Sequence, residues 1–209
     1  MSAKSPIPGL RFQWNKVFIN EARRKLKVFS DLVPKLRSRK GLLYLRVLEY
    51  EEKIEELEAK LEDTLKRAGF VARLSDYMPD ITHKTRTVPV IVAGVEINEI
   101  EAVDIDVEPY SLFGTPPILD QAVAITRKRI EEEESLRVNR ETMDILEEEF
   151  EEVSRQLAVF EDKFVPWLQE AIGQVKQRIS DLEALGAGIA GKVKSRHAAA
   201  DAEAEATAG

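Results

Sequence analysis

The sequence predicts a mainly α fold: a long antiparallel two-helix coiled coil formed by the N- and C-terminal helices, with a short β-hairpin region and loops between them. Three observations predict it. Large apolar residues recur every three or four positions over two long stretches, one toward each end of the chain, which lays a single seam along a helix. Between them lies a β-branched stretch that then alternates apolar and acidic residues, as short half-buried strands do. The composition is that of long helices rather than a bulky core, with 33% charged and 7% aromatic residues in 209.

Residues 1–12 contain Pro6, Pro8 and Gly9 and read as a flexible arm. A helical pattern follows over 13–68. Phe18, Ala22, Leu26, Phe29, Val33 and Leu36 form a first seam, and Leu43, Val47, Tyr50, Ile54, Leu57, Leu61 and Leu65 a second, with Gly41 at the join and Gly69 as the stop. At about 1.5 Å per residue such a helix is roughly 80 Å long, far more than a globular core requires. Residues 70–117 form the β and loop region. Thr87 to Ile97 is β-branched around Gly94, and Pro89 favours an edge strand. Phe113 to Pro117 reads as a turn, with Thr115 as N-cap of the next helix and Pro116 at its first position. The C-terminal coiled-coil helix spans 118–196. Its seam runs through Leu146, Phe150, Val153, Leu157, Phe160, Phe164, Leu168, Ala171, Val175, Ile179 and Leu182. Residues 197–209 are an Ala-Glu-Asp tail that reads as disordered.

Each long helix contains a proline, Pro34 in the first and Pro166 in the last. A proline inside a helix costs about 3 kcal/mol or more, so each asks for a structural reason. An antiparallel register setting Pro34 opposite Pro166 would align the two bends and let the pair curve without breaking its seam.

The net charge of −7 hides an asymmetry: Arg23 to Lys40 is rich in bases, while Glu131–Glu134 and Glu147–Glu149 are acidic blocks. The basic stretch is interrupted by regular apolar positions and carries no recognition motif, so it reads as a solvated or partner-facing helix surface and not as a nucleic-acid site. Without cysteine there are no disulfides or thiolate metal sites. No run approaches the ~18 apolar residues of a membrane span, and Met1 to Pro8 lacks a signal-peptide h-region. The expectation is a soluble, cytoplasmic chain that reaches a membrane only through partners.

No active site can be assembled. Gly186-Ala187-Gly188-Ile189-Ala190-Gly191 matches a dinucleotide fingerprint, and Lys192 brings it near a phosphate loop. The fingerprint needs a preceding strand, whereas a helix precedes it, and Val193 stands where a phosphate loop needs Ser or Thr. The stretch reads instead as a small-residue helix end for a confined space, followed by the basic residues Lys192, Lys194 and Arg196. His83 and His197 have no companion ligands at metal spacing, and His83 reads as a loop residue. Trp14 and Trp167 read as seam packing. The expectation is no catalytic, metal or cofactor residue.

One segment carries a family resemblance. Arg155-Gln156-Leu157-Ala158-Val159-Phe160-Glu161, followed by Val165-Pro166, resembles the D subunit of the V/A-type rotary ATPases, in which Arg-Arg-Val-Asn-Ala-Leu-Glu is followed after four residues by Ile-Pro. Arg155, Glu161 and Pro166 coincide in spacing, with Val165 in the isoleucine position. Ala171-Ile172, the seam through Ile179 and the basic end Lys192-Val193-Lys194 continue the likeness, and Asn15-Lys16 occupies the family's Thr-Lys/Arg opening. The likeness covers about 13–60 and 140–196. Ala158 replaces the family asparagine and Gln156 the second arginine, which suggests a divergent bacterial branch.

The resemblance implies a central rotor shaft without a catalytic site. Its two helices would enter the hexameric head of alternating catalytic A and B subunits. Its lower part would bind the F subunit and the funnel-shaped adaptor on the membrane ring, the C/d subunit. The family's work is ion transport coupled to ATP synthesis or hydrolysis, at a site peripheral to the inner membrane. Lys192, Lys194 and Arg196 would then belong to the tip borne by the head. A generic coiled-coil scaffold or tether shares the seam but not the Glu-to-Pro spacing or the middle β segment. The gamma subunit of F-type synthases has the same shaft logic but a larger domain between its helices.

Overall fold

A computed structural model describes residues 5–111 and 116–207, with side chains as far as Arg196. The elements in order are α1 (Lys16–Arg67), a 3-10 run (Ala68–Tyr77), β1 (Ile81–Val92), β2 (Val95–Val107), α2 (Leu119–Ala158), a π turn (Val159–Phe164) and α3 (Val165–Thr207). The fold class is the one predicted, two long helical stretches with an antiparallel hairpin between them. The proposed turn and cap at Phe113 to Thr115 lie outside the described residues. The chain divides into two compact units, 1–36 with 156–209 and 37–155.

In the first unit, α1 begins where Asn15 Oδ1 accepts the Phe18 N–H at 2.7 Å, which satisfies one of the amides a helix start leaves free. Phe18, Ile19 and Ala22 are buried against Leu168, Ala171, Ile172 and Val175 of α3. Ile7 and Leu10 join the same cluster. Residues 5–12, read from the sequence as a flexible arm, therefore carry two core side chains that plug the end of the seam. Phe12 fixes the plug, edge-on to Trp14 and Phe18 at 5.0 Å and to Trp167 at 6.4 Å.

The C-terminal seam is covered as far as Ile179. Leu182, expected as its last member, is 52% exposed: the core cluster ends with Ile179 packed against it, and beyond that Lys16 meets Glu183 in an exposed ion pair at 3.0 Å that leaves the leucine uncovered. Beyond it α3 runs helical to Thr207, through the stretch read as a disordered tail. Ala and Glu, which dominate there, are strong helix formers.

Pro166 finds its structural reason in the π turn. In a regular helix a proline ring clashes with the carbonyl four residues back. Here the turn before it is widened, and the Val165 N–H bonds to the Phe160 carbonyl, five residues back. One extra residue in a turn is a common way for a helix to absorb such a defect. Pro34 lies inside α1 with no such turn. Phe29 meets the rings of Phe160 at 5.0 Å and Phe164 at 5.7 Å. In an antiparallel pair the residues facing Pro34 must then lie N-terminal of Phe160, so the two prolines are not opposite each other.

In the second unit, Leu43, Val47, Tyr50 and Ile54 of α1 and Leu146 and Val153 of α2 are buried as predicted. At the far end Thr64 is buried and Leu65 exposed, the reverse of the seam expected there. Arg39 and Glu149 pair at 2.7 Å, and Arg140 pairs with Glu58. The hairpin is one antiparallel ladder from Ile81↔Val107 to Val92↔Val95. Its two-residue turn, Ala93-Gly94, has positive φ at both positions, the hairpin turn that matches strand twist. The ladder slips once. Arg86 pairs with Ala102 and Thr87 with Ile100, so Glu101 is a bulge residue. The tip lies beside Arg39, whose guanidinium would be 3.9 Å from a Cβ on Gly94.

Candidate functional site

Two places in the chain stand out, one in each unit. The first is the α3 tip. Every described side chain from Asp181 to Arg196 is exposed. Leu182, Leu185, Ile189 and Val193 follow one another at helical spacing with 48–63% of their surface open, so they continue the apolar stripe of the seam with no covering element among the described residues of the unit. Gly186, Ala187, Gly188, Ala190 and Gly191 keep the rest of this stretch slim, and a Cβ added at any of the three glycines would meet nothing within 4 Å. Lys192, Lys194 and Arg196 are exposed at its end. The glycine pattern lies wholly inside α3, without the strand a dinucleotide loop needs.

The family-like segment is divided between the units. Arg155 ends the second, exposed and 3.6 Å from Glu151. Glu161 and Val165 are half-buried and Pro166 exposed in the first, in and just after the π turn. Such widened turns are often kept at functional positions.

The second place is the root of the hairpin, where Glu134 of α2 is a hub. The Thr85 hydroxyl donates to its Oε2 at 2.6 Å, and Arg137 donates to the same oxygen at 2.7 Å from Nη2 and 3.2 Å from Nε. His83, on β1 and not in a loop, lies 3.5 Å from its Oε1. The Arg137 bond first, and then the Thr85 bond, hold the Glu134 carboxyl down to about 2. The depressed value means that its stabilisation is fully present above the ordinary carboxylate pKa and is lost as pH falls toward 2. Glu134→Gln is therefore expected to cost on the order of 1 kcal/mol at pH 7. Urea titrations from pH 7 to 2 should show that cost shrinking below about pH 4.5. A constant difference at all pH values would refute the assignment.

Among the described residues no group of His, Asp or Glu has the arrangement of a metal site, and no helix is long and apolar enough to cross a membrane. A family model described as the D subunit of ATP synthase matches residues 19–194. The chain belongs to the ATP synthase D-subunit family. The V-type ATP synthase D subunit of Chlamydia pneumoniae is 26% identical over 167 residues, covering 76% of this chain and 80% of that protein. That of Borreliella burgdorferi is 24% identical over 182 residues, covering 84% and 89%. That of Chlamydia felis is 31% identical over 90 residues, 43% of either chain. The span matched by the D-subunit family takes in α1 from Ile19, the hairpin, the π turn and the tip as far as Lys194.

Sequence reasoning missed four residues, Asn15, Ile7 and Leu10 in the first unit and Glu134 in the second. Asn15 stands just before the first seam residue, the position of an N-cap, and could have been read as one. Ile7 and Leu10 are too few for a pattern. Nothing in the block Glu131–Glu134 marks Glu134, since its burial depends on where the hairpin lands.

Proposed function

We propose that this D subunit is the central rotor shaft of a V/A-type rotary ATPase, carrying torque between the catalytic head and the ion-translocating membrane ring. The observation that carries the proposal is the α3 tip. An apolar stripe that continues a helix seam past its last covered residue, Ile179, needs a covering surface from another protein. In a V/A-type ATPase that surface is the bearing inside the hexamer of A and B subunits. Lys192, Lys194 and Arg196 hold the tip against it, and the slim Gly/Ala stretch lets it turn in a narrow space.

The shaft itself catalyses nothing; ATP is made or consumed on the head. Glu161, Val165 and Pro166 mark where the shaft departs from regular helix. The lower part meets the F subunit and the ring adaptor, the C/d subunit, which keeps the chain on the cytoplasmic side, peripheral to the inner membrane, with no segment of its own inserted.

Affinity purification of the tagged full chain from native membranes tests the reading. The expected result is co-recovery of the two large head subunits with ATPase activity. Recovery of the chain with no ATPase would sink the rotor reading and leave a tether.

A further inference from the structure

The hairpin rests on the helices of the second unit through a contact unlike the helix seam. Along the seam, Leu43, Val47, Ile54, Leu146 and Val153 are buried and carry no polar side-chain atom. In the hairpin, Ile97 alone among the described side chains is fully buried. Beside it the contact is largely polar. An open cleft of about 260 Å³ lies between β2 and the helices, lined by Tyr50 and Lys53 of α1, Ser135, Asn139 and Thr142 of α2, and Asn98 and Glu99 of β2, with Ile100 and Val138 as its aliphatic members. The Lys53 ammonium sits over the Tyr50 ring at 4.4 Å. A surface of hydroxyls, amides and an ammonium exchanges its hydrogen bonds for water when uncovered, with little net change. An aliphatic seam does not.

The hold is also uneven along the hairpin, and the bulge divides it. On the root side, Thr85 is fixed to Glu134 by a short bond to an ionised carboxylate that Arg137 also grips, the stronger class of hydrogen bond. On the tip side are the Tyr50 hydroxyl donating to Glu99 at 3.4 Å, the Thr142 hydroxyl donating to the Asn98 carbonyl at 3.2 Å, Ile97, and the Arg39 guanidinium lying beside Gly94. Between the halves the ladder slips at Arg86/Thr87, and a bulge is where a strand bends most readily. The half-buried residues of β1 change phase there, from Ile81 and Thr85 to Val90 and Val92, so the two halves are set on the helices independently.

We propose that the tip half of the hairpin, Thr87–Ile100, is a strap that swings off the helix pair about the bulge while the root stays latched on Glu134. Its paired ladder, closed by the Ala93-Gly94 turn, moves as one piece. Swinging out uncovers the polar strip of Tyr50, Asn139 and Thr142, and frees Val90, Val95 and Ile97.

The cysteine-free chain permits a direct test. Spin labels on Ile91→Cys at the tip and Glu148→Cys on the exposed side of α2 report the tip by electron–electron dipolar distances; labels on Thr82→Cys and Glu148→Cys report the root. The tip pair should show two distance populations. Ile97→Ser should raise the longer one several-fold while the root pair keeps one unchanged distance. Tyr50→Phe with Thr142→Val, which alters no hairpin residue, should shift the tip pair in the same direction. A single tip distance in all three backgrounds overturns the strap. So does a root distance that lengthens with the tip, since the hairpin would then leave as a whole or unfold.

Discussion

Truncation after Leu185 is expected to leave ATP hydrolysis running in the assembled complex while ion transport per ATP hydrolysed falls several-fold. The expectation rests on where burial stops. The first unit's core, Phe18, Ala22, Leu168 and Val175 with the Ile7–Leu10 plug, is complete before Leu182, and every described side chain removed by the truncation is exposed. The shortened chain should therefore fold with an unchanged thermal midpoint, since losing exposed residues away from caps and core changes stability little. What it loses is the stripe of Ile189 and Val193 and the bases Lys192, Lys194 and Arg196, the part assigned to the bearing. A shaft without its bearing still turns but no longer holds the head and ring in step. Paired measurements of hydrolysis and ion uptake in membrane vesicles check this. Coupling left intact by the truncation would remove the bearing role from the tip.

The parts of the fold legible in the sequence were those set by periodicity. A repeat of three and four residues states which face of a helix is covered, and Leu146, Val153, Leu157, Leu168 and Val175 are buried accordingly. Periodicity does not state what covers the face or how far along. Hence Leu182 and Leu65 read as seam residues although both are exposed, and spacing alone does not fix the register that decides what faces Pro34 and Pro166. The π turn was equally hidden, because one extra residue before Pro166 barely disturbs the apolar spacing. The tip was legible as small residues followed by bases. Glu134 was not: a glutamate among glutamates becomes a hub only once Thr85 and His83 arrive from β1.

The central claim, that this chain turns inside the head, is tested most directly by tying the tip to its surroundings. Ser195 is exposed between Lys194 and Arg196, and the chain has no native cysteine, so Ser195→Cys offers a single thiol there while keeping all three bases. A benzophenone attached to that thiol through a disulfide, in the purified complex, attaches the tip to the head on illumination and releases it on reduction. ATP hydrolysis should stop in proportion to the cross-linked fraction and return when the disulfide is reduced. Hydrolysis continuing undiminished with the tip fully cross-linked to the head would contradict a rotating shaft.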